Sequence, residues 1–321
     1  MKRSDLLKLA LLGAVAPLVA PRAETFPTRR ITLVVGFPAG TASDLISRFL
    51  ADHLARRLGQ AVVVENRPGA DGGVGATSVA RSRPDGYTLL YSTSSAHAAN
   101  VSLYRSLSYD PIADFAPVAG VLRQPTVVVV RPDSPARTVA DLAAMSRGRA
   151  QGLSYGYGNT STRVVGAMLE QRGGVKATGV SFRGNPQSLT ELIAGRLDFA
   201  VTDAFTGAAQ VQAGALRPIA VSSEAPIAHL PGTPSLVQLG VLQSPIVAWT
   251  GIFAPAGTPS AIVTQLSDEI RSILSTEEGA AMLARLVAEN FPMQPQALSD
   301  YMRADIARWA EYVTMAGIEQ Q

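Results

Sequence analysis

Val34-Val35-Gly36-Phe37-Pro38-Ala39-Gly40-Thr41-Ala42-Ser43-Asp44 is the stretch that decides the fold. The run that leads into it, residues 31–35, is short, apolar and β-branched, which is typical of a parallel strand buried on both faces. Beyond it, apolar residues recur at helical spacing from Leu45 to Leu54. The stretch therefore predicts a strand, a tight turn and a helix start, the repeating unit of α/β proteins.

The helix start has the properties of an anion site. Thr41 is the predicted N-cap, with Asp44 three positions later as the acidic partner of a capping box. Ligands of open α/β sheets bind at the carboxyl ends of the strands, where this helix would begin. Unpaired amides at the positive end of a helix dipole suit an anion. An ordinary βα turn would show the same pattern, so support must come from elsewhere in the chain.

Residues 1–23 are typical of a secretory signal peptide. Lys2 and Arg3 form a charged start, residues 9–20 form a short apolar run, and Ala23 is a small residue suited to cleavage. The apolar run is shorter than the roughly 20 residues that span a bilayer. We therefore expect the mature protein to act in the periplasm.

Charge and composition exclude several classes of function. The chain has 28 basic and 25 acidic residues, and residues 1–23 carry four of the bases and one of the acids, which leaves 24 of each. This balance gives no reason to expect nucleic acid as a partner. The chain has no cysteine, and its three histidines are isolated, so we expect neither a metal site nor a cofactor.

Polar loops follow several other predicted strands. The strand at residues 87–91 runs into the hydroxyl cluster of residues 92–97. The strand at residues 153–157 is followed by Gly158-Asn159-Thr160-Ser161-Thr162 and a helix at 164–171, which repeats the opening pattern. These loops are either solvated or part of a ligand cleft. Further strands are predicted at residues 61–65, 126–131, 180–183, 198–202, 218–222 and 251–255, and further helices at 76–81, 187–194, 209–213, 260–274, 277–288 and 296–314.

A strand, two prolines and a helix occur in that order near residues 126–138 and again near residues 251–274. Two such crossings are expected where a chain enters and leaves a second lobe. We predict a first lobe at residues 24–124, a second lobe at 125–248, and a return to the first lobe with the C-terminal helices at 249–321.

Gly152-Leu153-Ser154-Tyr155-Gly156 matches the hydrolase pattern G-x-S-x-G. That pattern needs its serine at a strained turn between a strand and a helix. Ser154 instead lies inside a predicted strand, and its nominal partners would be Asp198 or Asp203 with His229. A serine hydrolase is therefore the alternative that we favour less.

Six segments spread over the mature chain carry a family resemblance. They are Ile31-Thr32-Leu33-Val34-Val35-Gly36-Phe37-Pro38, Val64-Glu65-Asn66-Arg67-Pro68-Gly69, Pro84-Asp85-Gly86-Tyr87-Thr88-Leu89-Leu90, Ser102-Leu103-Tyr104, Asp114-Phe115-Ala116-Pro117-Val118 and Gly251-Ile252-Phe253-Ala254-Pro255-Ala256-Gly257-Thr258-Pro259. In order and spacing they closely resemble the Bug, or tripartite tricarboxylate transporter, substrate-binding proteins of the periplasm.

The resemblance implies an α/β fold of the type II periplasmic-binding-protein kind, with a ligand cleft between two lobes. It implies a solute-binding protein that delivers a small carboxylate, with dicarboxylates included, to a membrane permease. We expect this protein to be a monomer. Service to a membrane sensor is the alternative within this class. The resemblance also implies the ligand-binding residues Phe37, Ala39, Gly40, Asp44, Thr93, Ser94, His97, Thr160, Ser161, Thr162, Gly184 and Asp203. Thr41, the predicted cap of the first helix, is added to them.

Arg163 stands where members of this family usually have a histidine. A cation in the first turn of a helix opposes the helix dipole and needs a compensating reason. Its side chain either turns out to solvent or binds a second acidic group of the ligand, since a guanidinium suits bidentate carboxylate recognition.

Overall fold

The structure is a computed structural model that describes residues 26–320. The predicted signal peptide and its cleavage point lie outside the described residues. The strands are β1 (Ile31–Val35), β2 (Val62–Asn66), β3 (Thr88–Thr93), β4 (Phe115–Val130), β5 (Leu153–Tyr157), β6 (Ala177–Ser181), β7 (Phe199–Asp203), β8 (Arg217–Val221), β9 (Val247–Pro255) and β10 (Glu289–Asn290).

The helices alternate with these strands through most of the chain. They are α1 (Ala42–Leu58), α2 (Gly73–Ala80), α3 (Asn100–Leu103), α4 (Val139–Arg147), α5 (Thr160–Gln171), α6 (Asn185–Ile193), α7 (Ala204–Gln212), α8 (Ser260–Leu274), α9 (Glu277–Arg285) and α10 (Pro295–Met315). A short 3₁₀ turn at Ala70–Gly72 and a π turn at Ser95–Ala99 complete the set. The π turn occupies the second half of the segment at residues 92–97 that the sequence predicted to be a loop, and β3 extends into its first two residues.

The strands form a curled sheet in the order β2-β1-β3-β9-β4-β7-β5-β6, and β8 and β10 also pair with β4. Parallel pairs lie at both ends, with β1 between β2 and β3 and β5 between β6 and β7. Antiparallel pairing of β4 with β9 joins the two ends. This is the two-lobed α/β architecture that the resemblance implied.

Strand β4 runs through both lobes. Its first part, up to Pro125, pairs with β9, and from Thr126 it pairs with β7 and β8. The sequence predicted only the second part. The first part was missed because Pro117 and Gly120 interrupt the strand pattern, and the register does shift beside both of them.

The turn after β1 is held by the buried carboxylate of Asp44. Thr41 caps α1 as predicted, since its Oγ1 accepts from the Asp44 amide at 3.4 Å. The Asp44 carboxylate does not complete the predicted capping box. It accepts instead from the Gly40 amide at 3.0 Å, from Arg48 Nε at 3.0 Å and from Asn66 Nδ2 at 2.9 Å. Burial alone would raise the pKa of Asp44. The hydrogen bonds to the carboxylate lower the pKa by more than burial raises it, so the pKa lies below its usual value.

Replacing Asp44 with alanine should lower the free energy of unfolding by about 1–3 kcal/mol, because the Gly40 and Asn66 donors lose their acceptor. The native state favours ionised Asp44, so this contribution is full above about pH 4 and is lost as the pH falls through the lowered native pKa. Urea unfolding at several pH values measures both effects.

Asp52→Ala is the matched control. Asp52 lies in the same helix and also pairs with an arginine four residues later, Arg56, but both side chains are more than half exposed. Exposed pairs of this kind contribute about 0.2–1 kcal/mol. Equal destabilisation by the two substitutions would contradict the structural role given to Asp44.

Candidate functional site

A cavity of about 70 Å³, called here the inner cavity, lies between the two lobes where strands end and helices begin. It is lined by Phe37, Thr41, Ala42, Ser43, Tyr91, Thr93, Ser95, Leu122, Gln124, Gly158, Asn159, Ser161, Gly184, Asn185, Asp203, Ala248 and Thr250.

Four helices begin at this cavity. The caps of α1, α5 and α7 are Thr41, Asn159 and Asp203, and each cap side chain accepts from the third amide of its helix. The first two amides of each helix are left without an intrahelical partner. In α6 the cap is Gly184, which has no side chain to satisfy the first-turn amides. The cavity is therefore surrounded by amide donors and by the positive ends of helix dipoles.

The sequence predicted a hydroxyl cap for α5, and the structure corrects this. Asn159 Oδ1 accepts from the Thr162 amide at 3.0 Å, and Thr162 Oγ1 accepts in return from the Asn159 amide at 3.2 Å. Asn is as good an N-cap as Ser or Thr, so the sequence does contain this signal. The amides left for a ligand in this turn belong to Thr160 and Ser161.

Gly158 allows the two helix starts of the second lobe to approach each other. A Cβ atom on Gly158 would lie 2.2 Å from the Asn185 nitrogen and 2.3 Å from the Gly184 carbonyl carbon. Real Cβ atoms essentially never come this close to backbone, so any larger residue would push α6 away from α5. The shape of the inner cavity depends on this contact.

The crossing strands form the floor of the cavity. Leu122 pairs with Thr250, and Gln124 pairs with Ala248, so each lining residue of β4 lies opposite one of β9. Gln124 Nε2 donates to the Leu286 carbonyl oxygen. The floor is thus set by strand register and is fixed to the C-terminal part of the chain.

The polar side chains of the cavity are neutral with one exception. Thr93 Oγ1, Ser161 Oγ and Asn185 Oδ1 are buried and have no hydrogen-bond partner within residues 26–320. Burial raises the pKa of Tyr91, which keeps its hydroxyl protonated. The exception is Asp203, which accepts from Asn185 Nδ2 at 2.6 Å and from the Thr206 amide at 2.8 Å. Among the described lining residues there is no lysine, arginine or histidine.

The cavity brings together six of the residues predicted to bind ligand: Phe37, Thr41, Thr93, Ser161, Gly184 and Asp203. The other eight lie outside its lining: Ala39, Gly40, Asp44, Ser94, His97, Thr160, Thr162 and Arg163. Thr162 and Asp44 contribute indirectly, because their side chains hold the turns that present α5 and α1.

His97 packs in the core. Its ring stacks on Phe253 at 3.9 Å between centroids, and its Nδ1 lies 2.7 Å from the Ser92 hydroxyl. Full burial lowers the pKa of His97 to about 3, so the ring is neutral at physiological pH. The sequence suggested a ligand-binding loop after β3, but His97 lies in the π turn, which directs its ring into the core.

Sequence reasoning missed several lining residues. Asn159 and Asn185 are polar residues at helix starts and could have been found by the same rule that found Thr41. Leu122, Gln124, Ala248 and Thr250 carry no local signal, because they reach the cavity only through the pairing of β4 with β9.

Ser154 does not have the surroundings of a nucleophile. It lies within β5, and its Oγ donates to Asp198 Oδ2 at 3.2 Å. The other oxygen of Asp198 binds Arg149. Residues 26–320 also contain no cluster of three or more acidic or histidine side chains able to hold a metal, and no helix there is long and apolar enough to cross a membrane.

Comparison with known proteins identifies the fold and the family. Residues 46–318 match the family described as the tripartite tricarboxylate transporter family receptor. The chain belongs to this receptor family. BugT of Bordetella pertussis is 30% identical to this receptor over 316 residues, which cover 96% of the chain and 97% of BugT.

Solved structures agree with the assignment. The Rhodopseudomonas palustris protein Rpa4515, solved with adipate, superimposes with a TM-score of 0.88 at 32% identity over 92% of this receptor and all of that chain. MatC of the same organism, solved with malate, superimposes with a TM-score of 0.83 at 28% identity. The match covers 90% of this receptor and all of MatC. Members of the family are periplasmic solute-binding proteins, and the receptor is not an enzyme. The serine hydrolase alternative is therefore rejected.

His97→Phe should flatten the pH dependence of stability. The native pKa of His97 is about 3, whereas an unfolded histidine titrates near 6.5. The neutral ring therefore contributes its full stability above about pH 6.5, and the contribution is lost as the pH falls toward 3, at up to about 1.4 kcal/mol per pH unit. Urea unfolding between pH 7 and pH 4 should show this slope in the parent protein and lack it in the variant.

The control is His229→Ala, because His229 is exposed. That variant should keep the slope. A His97→Phe protein that retains the full slope would show that His97 does not titrate as a buried neutral ring.

Proposed function

We propose that this receptor captures a small carboxylate in the inner cavity and delivers it to membrane permease subunits. The observation that carries the proposal is the convergence of four helix N-termini on a cavity that, within residues 26–320, is lined by no cationic side chain. A carboxylate is the common anion that such a set of neutral donors fits. The adipate and malate complexes of related proteins support the same class of ligand.

Helix dipoles alone would be too weak. Each contributes about 0.3–1 kcal/mol when exposed and about 2 kcal/mol when partly buried, whereas micromolar binding needs about 8 kcal/mol. Hydrogen bonds to a charged group contribute about 1.5–3 kcal/mol each. Two or three amides and the free hydroxyls of Thr93 and Ser161 can supply the remainder if water is excluded. Closure of the lobes around the ligand is therefore part of the proposed mechanism.

The Asp203 carboxylate opposes an anion, but its own hydrogen bonds limit this effect. It accepts from Asn185 Nδ2, and in capping α7 it accepts from the amide and the hydroxyl of Thr206. Its charge is thus compensated by donors on its own side of the cavity. We propose that Asp203 positions Asn185 rather than contacting the ligand carboxylate.

The remaining parts of the proposal concern the whole molecule. We propose that residues 1–23 are a signal peptide removed on export, that residues 24–124 with 249–321 form one lobe and residues 125–248 the other, and that the protein works as a monomer. The strand crossing between Pro125 and Thr126 supports this division. Delivery to a membrane sensor instead of a permease is the second candidate, and it would use the same cavity.

Thermal unfolding of the mature protein with a panel of small carboxylates tests the proposal. A ligand at 100 times its Kd that binds only the native state stabilises it by about 2.7 kcal/mol, which raises the midpoint by several degrees. We expect at least one acid to do this and its neutral primary amide to fail. If no acid shifts the midpoint, or if acid and amide act equally, the proposed function is wrong.

Gly158→Ala tests the location of the binding site. The added methyl group would displace α6 from α5, so we expect at least a tenfold loss of affinity by calorimetry for any acid found in the panel. Gly148→Ala is the matched control, because it lies in the same lobe with an ordinary negative φ and its new Cβ would meet only the Met145 carbonyl oxygen, at 3.5 Å. Unchanged affinity in Gly158→Ala would place the ligand elsewhere.

A further inference from the structure

A second space of about 620 Å³, called here the outer cavity, adjoins the inner cavity. Phe37 and Gly158 line both spaces. A ligand that is held by its carboxylate in the inner cavity can therefore extend its other end past these two residues into the outer cavity. Among the described residues that line the outer cavity, Asp71 is the one acidic residue and Arg183 the one basic residue.

Asp71 reaches the outer cavity from a turn with an unusual backbone. The four consecutive residues Gly69, Ala70, Asp71 and Gly72 all have positive φ, at 138°, 47°, 50° and 91°. Glycine adopts such conformations freely, whereas residues with a side chain adopt the left-handed region singly and at a cost. Ala70 and Asp71 adopt it in succession. Backbone strain of this kind clusters at functional sites, where the surrounding structure holds it in place.

The structure around the turn supplies that restraint. A Cβ atom on Gly36 would lie 2.7 Å from Gly72 Cα, so the strained turn packs directly on the turn that follows β1. On its other side, the buried Asn100 donates from Nδ2 to the Ala70 carbonyl oxygen at 3.2 Å. The turn after β1 leads into α1, which begins at the inner cavity. Asp71 is thus fixed in position relative to the proposed carboxylate site.

The Asp71 carboxyl group has capacity for a further hydrogen bond. The Tyr104 hydroxyl donates to Asp71 Oδ2 at 3.4 Å, which is longer than the roughly 2.5–3.0 Å that is usual between two oxygens. An ionised carboxyl group can accept about four hydrogen bonds. A polar group of a ligand in the outer cavity can therefore bind Asp71 while Tyr104 keeps its place.

A hydroxyl group is the partner that fits Asp71 best. Burial raises the pKa of Asp71, which favours the neutral form of the carboxyl group. A hydroxyl can donate to a carboxylate and can also accept from a neutral carboxylic acid, so it binds both forms. An ammonium group can only donate and a second carboxylate can only accept, so each of them suits one form. The exposed cation of Arg183 in the same cavity also opposes an ammonium group.

We propose that Asp71 is a specificity-determining residue, which forms a hydrogen bond with a hydroxyl group at the far end of the ligand and so selects hydroxy acids. In these acids the hydroxyl and the carboxylate stand at opposite ends of the carbon chain. The inference rests on the proposed function and narrows its class of ligand. It also gives the strained turn a role, because the turn holds the Asp71 carboxyl group at a fixed distance from the carboxylate site.

The test compares straight-chain acids of four to six carbons that differ only at the far end. Butyrate, pentanoate and hexanoate are each compared with the acid of the same length that carries a terminal hydroxyl, a terminal amino group or a second carboxylate. In calorimetry on the mature protein, the hydroxy acid of at least one length should bind at least tenfold more tightly than the plain acid. At that length it should also bind more tightly than the amino acid and the dicarboxylate.

Asp71→Gly removes the carboxyl group from a position where glycine is free of strain. In this variant the tenfold preference for the hydroxy acid should fall below twofold, while the affinity for the plain acid should change less than threefold. The midpoint of urea unfolding should stay the same or rise, because the strain is relieved. Asp71→Asn tolerates positive φ, and its amide both accepts and donates, so it should keep at least a threefold preference.

Ala70→Gly is the matched control. It relaxes the same turn at the neighbouring residue, which also has positive φ, and it keeps the Asp71 carboxyl group. The preference for the hydroxy acid should remain at least fivefold in this variant. If Ala70→Gly and Asp71→Gly lost the preference equally, the shape of the turn would be its cause, and the role given to the Asp71 carboxyl group would be wrong.

The other outcomes separate this inference from the proposed function. If the plain acids bind and the hydroxy acids show no preference, the inference is overturned and the proposed function stands. Tighter binding of the amino acid or the dicarboxylate at the preferred length would also overturn it. Equal weakening of plain and hydroxy acids in Asp71→Gly, with a lower urea midpoint, would reduce Asp71 to a structural role. Failure of these acids and of every other carboxylate in the panel would overturn the proposed function itself.

Discussion

The antiparallel pairing of β4 with β9 is the constraint on which the rest of the structure depends. Both strands are largely buried, and β4 continues from this pair into its pairing with β7 and β8. The two lobes are therefore held with the carboxyl ends of their parallel strands facing each other. Helix starts follow those strand ends, so the converging amides are a consequence of topology. The cavity floor comes from the same pair.

Binding an anion without a cationic side chain has a physical rationale. A lysine or arginine in a closing cleft would have to lose its hydration each time the lobes closed, whereas backbone amides are already fixed in direction by their helices. The carboxylates that hold the starts of α1 and α7 are both compensated by hydrogen-bond donors of the chain. Asp44 is held by three donors, and Asp203 is held by Asn185 and Thr206. The first-turn amides of these helices have no intrahelical acceptor and are the donors that can bind an anion.

Sequence reasoning succeeded where the signal was local. Strands β1 and β5 and helix α8 have the predicted bounds, because apolar period and turn residues define them. It failed where the cause was tertiary. The first part of β4 contains residues that disfavour strands and is held by β9, and the floor of the cavity follows from that pairing.

A crystal structure of the mature protein with a bound acid from the carboxylate panel tests anion capture by helix N-termini most directly. We predict that the carboxylate oxygens lie within about 3.2 Å of first-turn amide nitrogens of α1 and α5, at Ser43 and Ser161, with no lysine or arginine nitrogen in contact. We also predict that the two lobes enclose the ligand. A carboxylate held by an arginine or lysine side chain, or bound outside the inner cavity, would contradict capture by helix N-termini.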